Sequence, residues 1–197
     1  EIDFKFMDQK GLAQRNGRVT GHLSLHAVGT SAATVTPLGE ADVLISPDLL
    51  DGSQAIHYLK KGKGRGVISD DFQIPLSFIL NKSAPNRDEL LQSMNKFDFL
   101  TLAPLKRLAS DLVGKSVYTN AMAIGVAYQL GRLPFSLNQL LKAFESSVPK
   151  LELDNNLKAF HLGRLYYSQQ DHPIFSQKKE NSLKHLFEKS LIDSFPF

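Results

Sequence analysis

Every second residue of the segment VTGHLSLH is apolar or small, and the residues between them are polar. Successive side chains of a strand point to opposite faces, so this pattern predicts a half-buried strand over residues 19–26. The face predicted to be buried comprises Val19, Gly21, Leu23 and Leu25, and the face predicted to be exposed comprises Thr20, His22, Ser24 and His26. His22 and His26 would lie about 13 Å apart along such a strand, too far to share a metal ion.

A different pattern begins at Val43, where three apolar residues follow one another without a polar break. Such a run predicts a strand that is buried on both faces. The following SPDLL predicts a helix with Ser46 as its N-cap and Pro47 at its first position. The segment GVISDD predicts a second strand, with Val67 and Ile68 as its buried part. Strand, helix and strand form a βαβ unit, which requires parallel strands joined by a right-handed crossover.

The rest of the chain is predicted to be mostly helical. NRDELLQSM predicts a short helix, and FDFLTLAP predicts a third strand that leads into a helix at LKRLASDL. Apolar residues then recur at helical spacing in VYTNAMAIGVAYQLG, SLNQLLKAFESSV and LDNNLKAFHLGRLYY. The chain is therefore predicted to be an α/β protein in which helices flank a mostly parallel sheet.

The composition changes at Ser168, where the polar, linker-like SQQDHPIFSQKKEN begins. The following SLKHLFEKSLIDSF predicts an amphipathic helix, which either packs on the body of the protein or docks on a partner. Its apolar face comprises Leu183, Leu186, Phe187 and Leu191. We therefore divide the chain into a domain over residues 1–167 and a helical C-terminal extension over residues 168–197.

The composition limits the function more by what it lacks than by what it contains. The 197 residues carry a net charge of +3 that is mixed along the chain, so nucleic acid is not predicted as a partner. The absence of cysteine excludes disulfides, a cysteine nucleophile and iron–sulfur clusters held by this chain's own thiolates. Without an apolar run of about 20 residues or a signal-like N-terminus, the chain is predicted to be cytoplasmic, with no membrane as partner.

Two glycine-containing motifs are weak matches to phosphate-binding loops. VGKS lies at the end of a predicted helix, and Ala109 stands where a P-loop needs its first glycine, so we interpret Gly114 as the cap of that helix. GKGRG precedes a strand instead of following one, so we interpret it as a turn after a helix, with basic residues at the negative helix end. The chain contains neither HExxH nor G-x-S-x-G, and no catalytic or metal-binding residue is predicted.

Four segments carry a resemblance to a known family. They are, in chain order, MDQKGLAQRNGRVTGHLSL, GEADVLISPDLL, YTNAMAIGVAYQLGRLPFSLNQLLKAF and LDNNLKAFHLGRL. Together they resemble the gamma-type subunit or domain of 2-oxoacid:ferredoxin oxidoreductases, and the likeness runs from Asp8 to Arg164. The form GLAQ-basic-x-G-x-V-x-x-H is most similar to the indolepyruvate branch of that family.

The resemblance implies a Rossmann-like fold and a role as one component of an enzyme, not catalytic alone and without a redox centre of its own. The family converts a 2-oxoacid and coenzyme A to an acyl-CoA and carbon dioxide, and passes two electrons to ferredoxin. The implied partners are thiamine-diphosphate-binding and iron–sulfur subunits or domains, with ferredoxin reached indirectly. This chain is expected to hold none of these cofactors itself.

One part of the family pattern is missing. The family's gamma domain begins with a strand and a glycine-rich turn, and nothing in Glu1 to Met7 supplies them. We therefore expect either a fragment that also lacks its initiator Met, or a domain that has degenerated. An open edge of the parallel sheet at that place would favour a homodimer.

The resemblance also implies a cofactor-binding loop within GLAQRNGRV. It places Gln14, Arg15, Asn16 and Gly17 near the functional edge of the domain. The Arg15 guanidinium offers a planar fork for a phosphate or carboxylate, and Gly17 allows a close backbone approach. We expect contact with coenzyme A or with the thiamine-bearing partner; the alternative is an ordinary structural turn.

Asn120 is the second residue expected on the coenzyme A or partner side, because it begins a helix that the family keeps beside that edge. The alternative is that Thr119 or Asn120 is simply the N-cap of this helix. For the whole chain, the alternative function is a non-enzymatic binding or interaction module that kept the Rossmann-like fold.

Overall fold

The computed structural model describes residues 1–10, 19–74 and 85–176. By its internal contacts the chain falls into two units, Glu1–Leu102 and Ala103–Phe197. The first unit is built on strands with short helices, and the second is built on helices. Different local sequence features determine the fold of each unit.

An antiparallel hairpin opens the first unit. Strand β1 (Ile2–Lys10) pairs with β2 (Val19–Ala27), from Ile2 opposite Ala27 to Lys10 opposite Val19. The alternation of VTGHLSLH correctly predicted β2. Strand β1 was not predicted, although IDFKFM alternates in the same way, with Ile2, Phe4 and Phe6 on one face.

The predicted parallel sheet is confirmed. Strands β3 (Val43–Ser46), β4 (Arg65–Ser69) and β5 (Leu100–Ala103) lie side by side in that order. The pair β3 and β4 is parallel and in register from Val43 opposite Arg65 to Ser46 opposite Ile68. Val67 and Ile68 of the central strand are fully buried, as their apolar run predicted.

Two helices cover this sheet. Helix α1 (Leu49–Ala55) joins β3 to β4 and continues into a single 3₁₀ turn, Ile56–Tyr58. Helix α2 (Arg87–Met94) occupies the segment predicted from NRDELLQSM, and the Asn86 side chain caps it by accepting from Asp88 N. Leu49, Ile68 and Met94 form a buried cluster, so strand and both helices share one core.

The predicted cap of α1 is wrong by two residues. Asp48 is the N-cap, and its Oδ1 accepts from Asp51 N at 3.0 Å. Ser46 is the last residue of β3, and its hydroxyl donates to Asp48 O at 2.7 Å. The helix therefore begins at Leu49, because the Ser46 hydroxyl holds the connecting turn instead of the helix start.

Both glycine-containing motifs occupy the places predicted for them. GKGRG comprises the turn before β4 and the first two residues of that strand, and Lys60 Nζ, just before the motif, pairs with Asp42 Oδ1 at 2.8 Å. VGKS follows helix α3 (Leu105–Val113), which ends at Gly114. Gly114 takes a left-handed conformation, with φ of 99°, and its N–H reaches the carbonyls of Ala109 and Ser110. Glycine adopts this capping geometry more readily than other residues. The VGKS motif is therefore the end of a helix and not a phosphate-binding loop.

In the described part of the second unit, a 3₁₀ turn at Ser116–Tyr118 is followed by four α-helices. They are α4 (Thr119–Gln129), α5 (Leu137–Ser147), α6 (Lys150–Ser168) and the one-turn α7 (Pro173–Ser176). Helix α5 begins with a capping box, in which Gln139 N donates to the Ser136 hydroxyl and Ser136 N donates to Gln139 Oε1. The predicted helical segments are confirmed here.

Helices α4 and α6 touch through their backbones. A Cβ added at Gly163 would lie 2.0 Å from Met122 O, and a Cβ added at Gly125 would lie 2.0 Å from Phe160 O. Met122 and Phe160 are themselves fully buried at this crossing. The two glycines therefore set how closely the central helices of the second unit approach.

The division into residues 1–167 and 168–197 stays a prediction. Helix α6 ends at Ser168, and the boundary between the two units along the chain falls between Leu102 and Ala103. The predicted amphipathic helix with Leu183, Leu186, Phe187 and Leu191 lies outside the described residues. The expectation of a missing first strand and glycine-rich turn also stays untested.

Replacing Gly163 with alanine should destabilise the protein by about 3 kcal/mol, because a methyl group at the Met122 carbonyl forces the two helices apart. Urea unfolding followed by far-UV circular dichroism measures this change. Gly21→Ala is the matched control, since its new methyl group would meet only the side chains of Asp8 and Phe6, at 3.3 and 3.4 Å. The control should change stability by about 0.5 kcal/mol; equal losses would contradict the packing argument.

Candidate functional site

The predicted loop residues Gln14, Arg15, Asn16 and Gly17 lie outside the described residues. The structure does describe the two strands that they connect. Lys10, the last residue of β1, is directly opposite Val19, the first residue of β2. The two ends of the eight-residue connection 11–18 are therefore held side by side.

The outer face of the hairpin is apolar and exposed. We define it by six side chains with 37–74% of their surface exposed: Ile2, Phe4, Phe6, Val19, Leu23 and Leu25. In the strand register Phe4 is opposite Leu25 and Phe6 is opposite Leu23. The prediction that Val19, Leu23 and Leu25 are buried is therefore wrong.

The opposite face of the hairpin, which carries the histidines, is the buried one. His22 exposes only 5% of its surface, although it was predicted to be exposed. Thr36 N donates to His22 Nδ1 at 3.3 Å, and the Tyr58 ring meets the imidazole edge to face, with centroids 5.4 Å apart. Residues that follow β2 and α1 thus cover this face, which is why the polar side of β2 is turned inward.

Each histidine of β2 has one buried ring nitrogen without a partner in the described part of the chain. These atoms are Nε2 of His22 and Nδ1 of His26. Asp3 Oδ2 lies 4.0 Å from His26 Nε2. No group of three or more His, Cys, Asp or Glu side chains in the described ranges is arranged to hold a metal ion.

The carboxyl ends of the parallel strands form the edge at which open α/β sheets bind ligands. At this edge Asp48 Oδ2 accepts from Gln73 N at 2.8 Å, while its Oδ1 caps α1. Leu49 N donates to Asp71 O at 2.7 Å, which ties the segment after β4 to the start of α1. The protein's own carboxylate thus occupies the place where an anion would meet the helix.

The Arg87 guanidinium makes a second connection at the same edge of the sheet. Arg87 Nη2 donates to Asp70 O at 3.1 Å and lies 3.4 Å from Asp70 Oδ2. Arg87 is at the first position of α2, so this pair connects α2 to the end of β4. These hydrogen bonds connect the segments that follow β3 and β4 to the starts of α1 and α2.

Asn120 is exposed and is the second residue of α4. The prediction that Thr119 or Asn120 caps this helix is wrong, because the N-cap is Tyr118 and no side chain caps the helix. The Thr119 hydroxyl instead donates to Ser116 O at 2.6 Å. Asn120 lies in the second unit, whereas the connection 11–18 belongs to the first. The structure therefore does not test the grouping of these predicted residues.

A buried tyrosine organises polar groups near the start of α4. The Tyr118 hydroxyl donates to Glu152 Oε2 and accepts from Asn155 Nδ2 at 3.1 Å. Lys115 Nζ donates to Glu152 Oε1 at 3.2 Å. The hydrogen bond from Tyr118, and then that from Lys115, lower the pKa of Glu152. The same partner raises the pKa of Lys115, so this pair stays charged around neutral pH.

Helix α6 also carries a buried cation. Arg164 Nε donates to Gln129 Oε1 at 3.2 Å, and the guanidinium lies 5.3 Å from the Tyr128 ring centroid. Burial, and then the charge of Arg164, lower the pKa of His161, so this imidazole is neutral at pH 7. Arg164 therefore contributes a fixed charge between α4 and α6.

Sequence reasoning missed Tyr118, Glu152 and Arg164. The hydrogen bonds described for them with Lys115, Gln129, Asn155 and one another join residues that are 34 to 37 positions apart in the chain. Short-range motifs and helical spacing carry no signal at that separation. Finding them would have required knowing which residues of α4 and α6 pack against each other.

A model of the pyruvate ferredoxin/flavodoxin oxidoreductase family matches residues 3–166. The chain belongs to this family. The match spans the hairpin from Asp3 onwards, the parallel sheet and the helices up to Tyr166, two residues before α6 ends. It confirms the resemblance seen in the sequence, and with it the prediction of a component of a 2-oxoacid:ferredoxin oxidoreductase.

Relatives within the family are subunits of oxidoreductases. Indolepyruvate oxidoreductase subunit IorB from Thermococcus kodakarensis is 29% identical over 159 residues, which cover 78% of this chain and 75% of the relative. The same-named subunit from Archaeoglobus fulgidus is 26% identical over 156 residues, with the same two coverages.

The crystal structure of the keto/oxoacid ferredoxin oxidoreductase gamma subunit from Geobacter sulfurreducens shares the fold. Its TM-score is 0.56 at 19% identity, over 85% of this chain and 81% of that one. This likeness confirms the predicted α/β architecture with a helical C-terminal part. Within the described ranges, no helix of this family member is long and apolar enough to cross a membrane.

Replacing Tyr118 with phenylalanine should lower the melting temperature most at neutral pH. The folded-state pKa of Glu152 is lowered, so its contacts stabilise the protein at neutral pH and this contribution is lost as the pH falls below about 5. The difference between the variant and the parent should therefore shrink towards acid pH. Calorimetry from pH 7 to pH 3 measures it.

The control for this experiment is a Glu152→Gln background. There Tyr118→Phe should still lower the melting temperature, because Asn155 loses its acceptor, but the difference should no longer depend on pH. A pH-dependent difference that persists in this background would show that another group is responsible.

Proposed function

We propose that this chain is the gamma-type component of an enzyme that acts on a 2-oxoacid of the indolepyruvate type. The reaction joins the acyl group to coenzyme A, releases carbon dioxide and a proton, and passes two electrons to ferredoxin. The observation that carries the proposal is the family match over residues 3–166, which covers described elements of both units. The IorB relatives support the indolepyruvate branch.

Iron–sulfur clusters do not fit the side chains of this chain. Iron–sulfur clusters are held by cysteine thiolates, and the sequence contains no cysteine. The family resemblance implies that thiamine diphosphate is bound by another subunit or domain of the complex. We therefore assign both cofactors to partner subunits or domains of the same enzyme, and we derive no step through them here.

The role proposed for this chain is to hold coenzyme A or the thiamine-bearing partner. Gln14, Arg15, Asn16 and Gly17 are the residues proposed to make this contact, with Asn120 as a further polar group. A guanidinium binds a phosphate through two parallel hydrogen bonds, which suits the diphosphate or the 3′-phosphate of coenzyme A. We propose a cytoplasmic location for the assembled enzyme.

Co-expression of the chain with the thiamine-diphosphate-binding subunit from the same source tests the function. We expect a brown complex that reduces ferredoxin only when indolepyruvate and coenzyme A are both present. Pyruvate and 2-oxoglutarate are the comparison substrates, and they should be turned over more slowly. A colourless chain that neither binds the subunit nor raises its activity would favour the alternative, an interaction module without enzymatic function.

Replacing Arg15 with alanine should raise the KM for coenzyme A about tenfold with little change in kcat. The reason is that the lost hydrogen bonds hold the phosphate of coenzyme A and not the reacting atoms. Steady-state kinetics of the assembled complex at varied coenzyme A measure the change. Arg132→Ala, at an exposed arginine of the second unit, is the control and should leave the KM unchanged. Equal KM values for parent and Arg15→Ala would contradict the proposed contact.

A further inference from the structure

The outer face of the hairpin is larger than a soluble protein ordinarily leaves in water. Its six side chains are all at least one-third exposed, and Ile2, Phe4 and Phe6 are more than half exposed. Side chains of these types at this exposure present on the order of 700 Å² of apolar surface. The largest apolar patch of a typical monomer is about 300–600 Å². A stable interface buries about 800 Å² on each partner, of which about 60% is apolar, so this face is large enough to supply the apolar part of one.

The arrangement of this face is also that of an interface. The cross-strand pairs Phe4–Leu25 and Phe6–Leu23 form one continuous apolar strip. Asp8 and Lys10 point to the same side at one end of the strip and give it a charged rim. Aromatic side chains at the centre with charges at the rim are typical of protein–protein interfaces.

The other face of the hairpin is already used within the first unit. His22 receives a hydrogen bond from Thr36 N, and Lys5 Nζ donates to Ala32 O at 2.7 Å. A two-stranded sheet is marginally stable without cover. Because the inner face is anchored in this way, the hairpin keeps its shape while the outer face stays available.

We propose that the outer face is the surface by which this chain docks onto an apolar patch of the thiamine-diphosphate-binding subunit. This inference rests on the proposed function. The strands of the hairpin end at Lys10 and Val19, which hold the two ends of the connection containing Arg15 side by side. Docking by the outer face would fix these ends against the subunit in which the acyl group is formed. A second copy of this chain on the same face would keep that subunit away.

The test is binding of the full chain to the co-expressed thiamine-diphosphate-binding subunit. The variant carries Phe4→Lys and Leu23→Lys, which place two charges in the centre of the outer face. The matched control carries Val117→Lys and Leu151→Lys, at residues of the second unit that expose 69% and 96% of their surface. We expect the hairpin variant to raise the dissociation constant at least tenfold and the control to leave it unchanged.

A second variant protects the test against a folding defect. Phe4→Thr with Leu23→Thr keeps residues that favour strands and removes two large apolar side chains from the centre of the face. Circular dichroism and the melting temperature of each free variant should match those of the parent. The threonine variant should also weaken binding at least tenfold.

Three results would overturn the inference, and each is distinguishable. If the parent chain binds the subunit and both hairpin variants bind equally well, the function stands and the docking surface is wrong. If the parent does not bind the subunit at all, the proposed function fails and the inference fails with it. If light scattering shows a dimer of the free parent that the hairpin variants abolish, a second copy occupies the face instead.

Discussion

Helices α4 and α6 approach until the backbone of one touches the backbone of the other, and the second unit depends on that contact. Gly125 and Gly163 lie at the crossing, and each faces a carbonyl of the opposite helix. The close approach brings Tyr118 within reach of Glu152 and Arg164 within reach of Gln129. The polar groups of this unit are therefore arranged by two residues without side chains. Larger residues at either position would separate the partners of both hydrogen bonds.

The first unit depends on a different constraint, which is the direction in which the hairpin faces. A strand with alternating residues offers two faces, and burial normally selects the apolar one. In this protein the polar face is covered, because Thr36 and Tyr58 give His22 a hydrogen bond and an aromatic contact. The apolar residues are left outside, which costs stability in the free chain. In the docking proposal the same residues contact a partner subunit, and this contact is the function that the cost serves.

Local patterns in the sequence predicted the elements well and their surroundings poorly. The apolar run at Val67 and Ile68 identified the central strand, and helical spacing identified the long helices, because both signals depend on neighbouring residues. The capping residue Asp48 was missed because Ser46 fits the same local rule and is held in the turn instead. The burial of His22 depends on Thr36 and Tyr58, which lie outside the strand. Of the predicted site, the resemblance alone supplied Gln14 to Gly17, and geometry had no part in that prediction.

The two-faced hairpin also limits how the length of this protein can change during evolution. Side chains of a strand alternate, so one inserted or deleted residue within β1 would exchange the faces of every residue beyond it. His22 would then lose its matched neighbour Met7, and a phenylalanine would meet the cover of the inner face. Changes by two residues keep the faces, as do changes outside the paired strands. Among distant relatives, insertions and deletions within the paired strands should therefore involve an even number of residues. Between the strands they can involve any number.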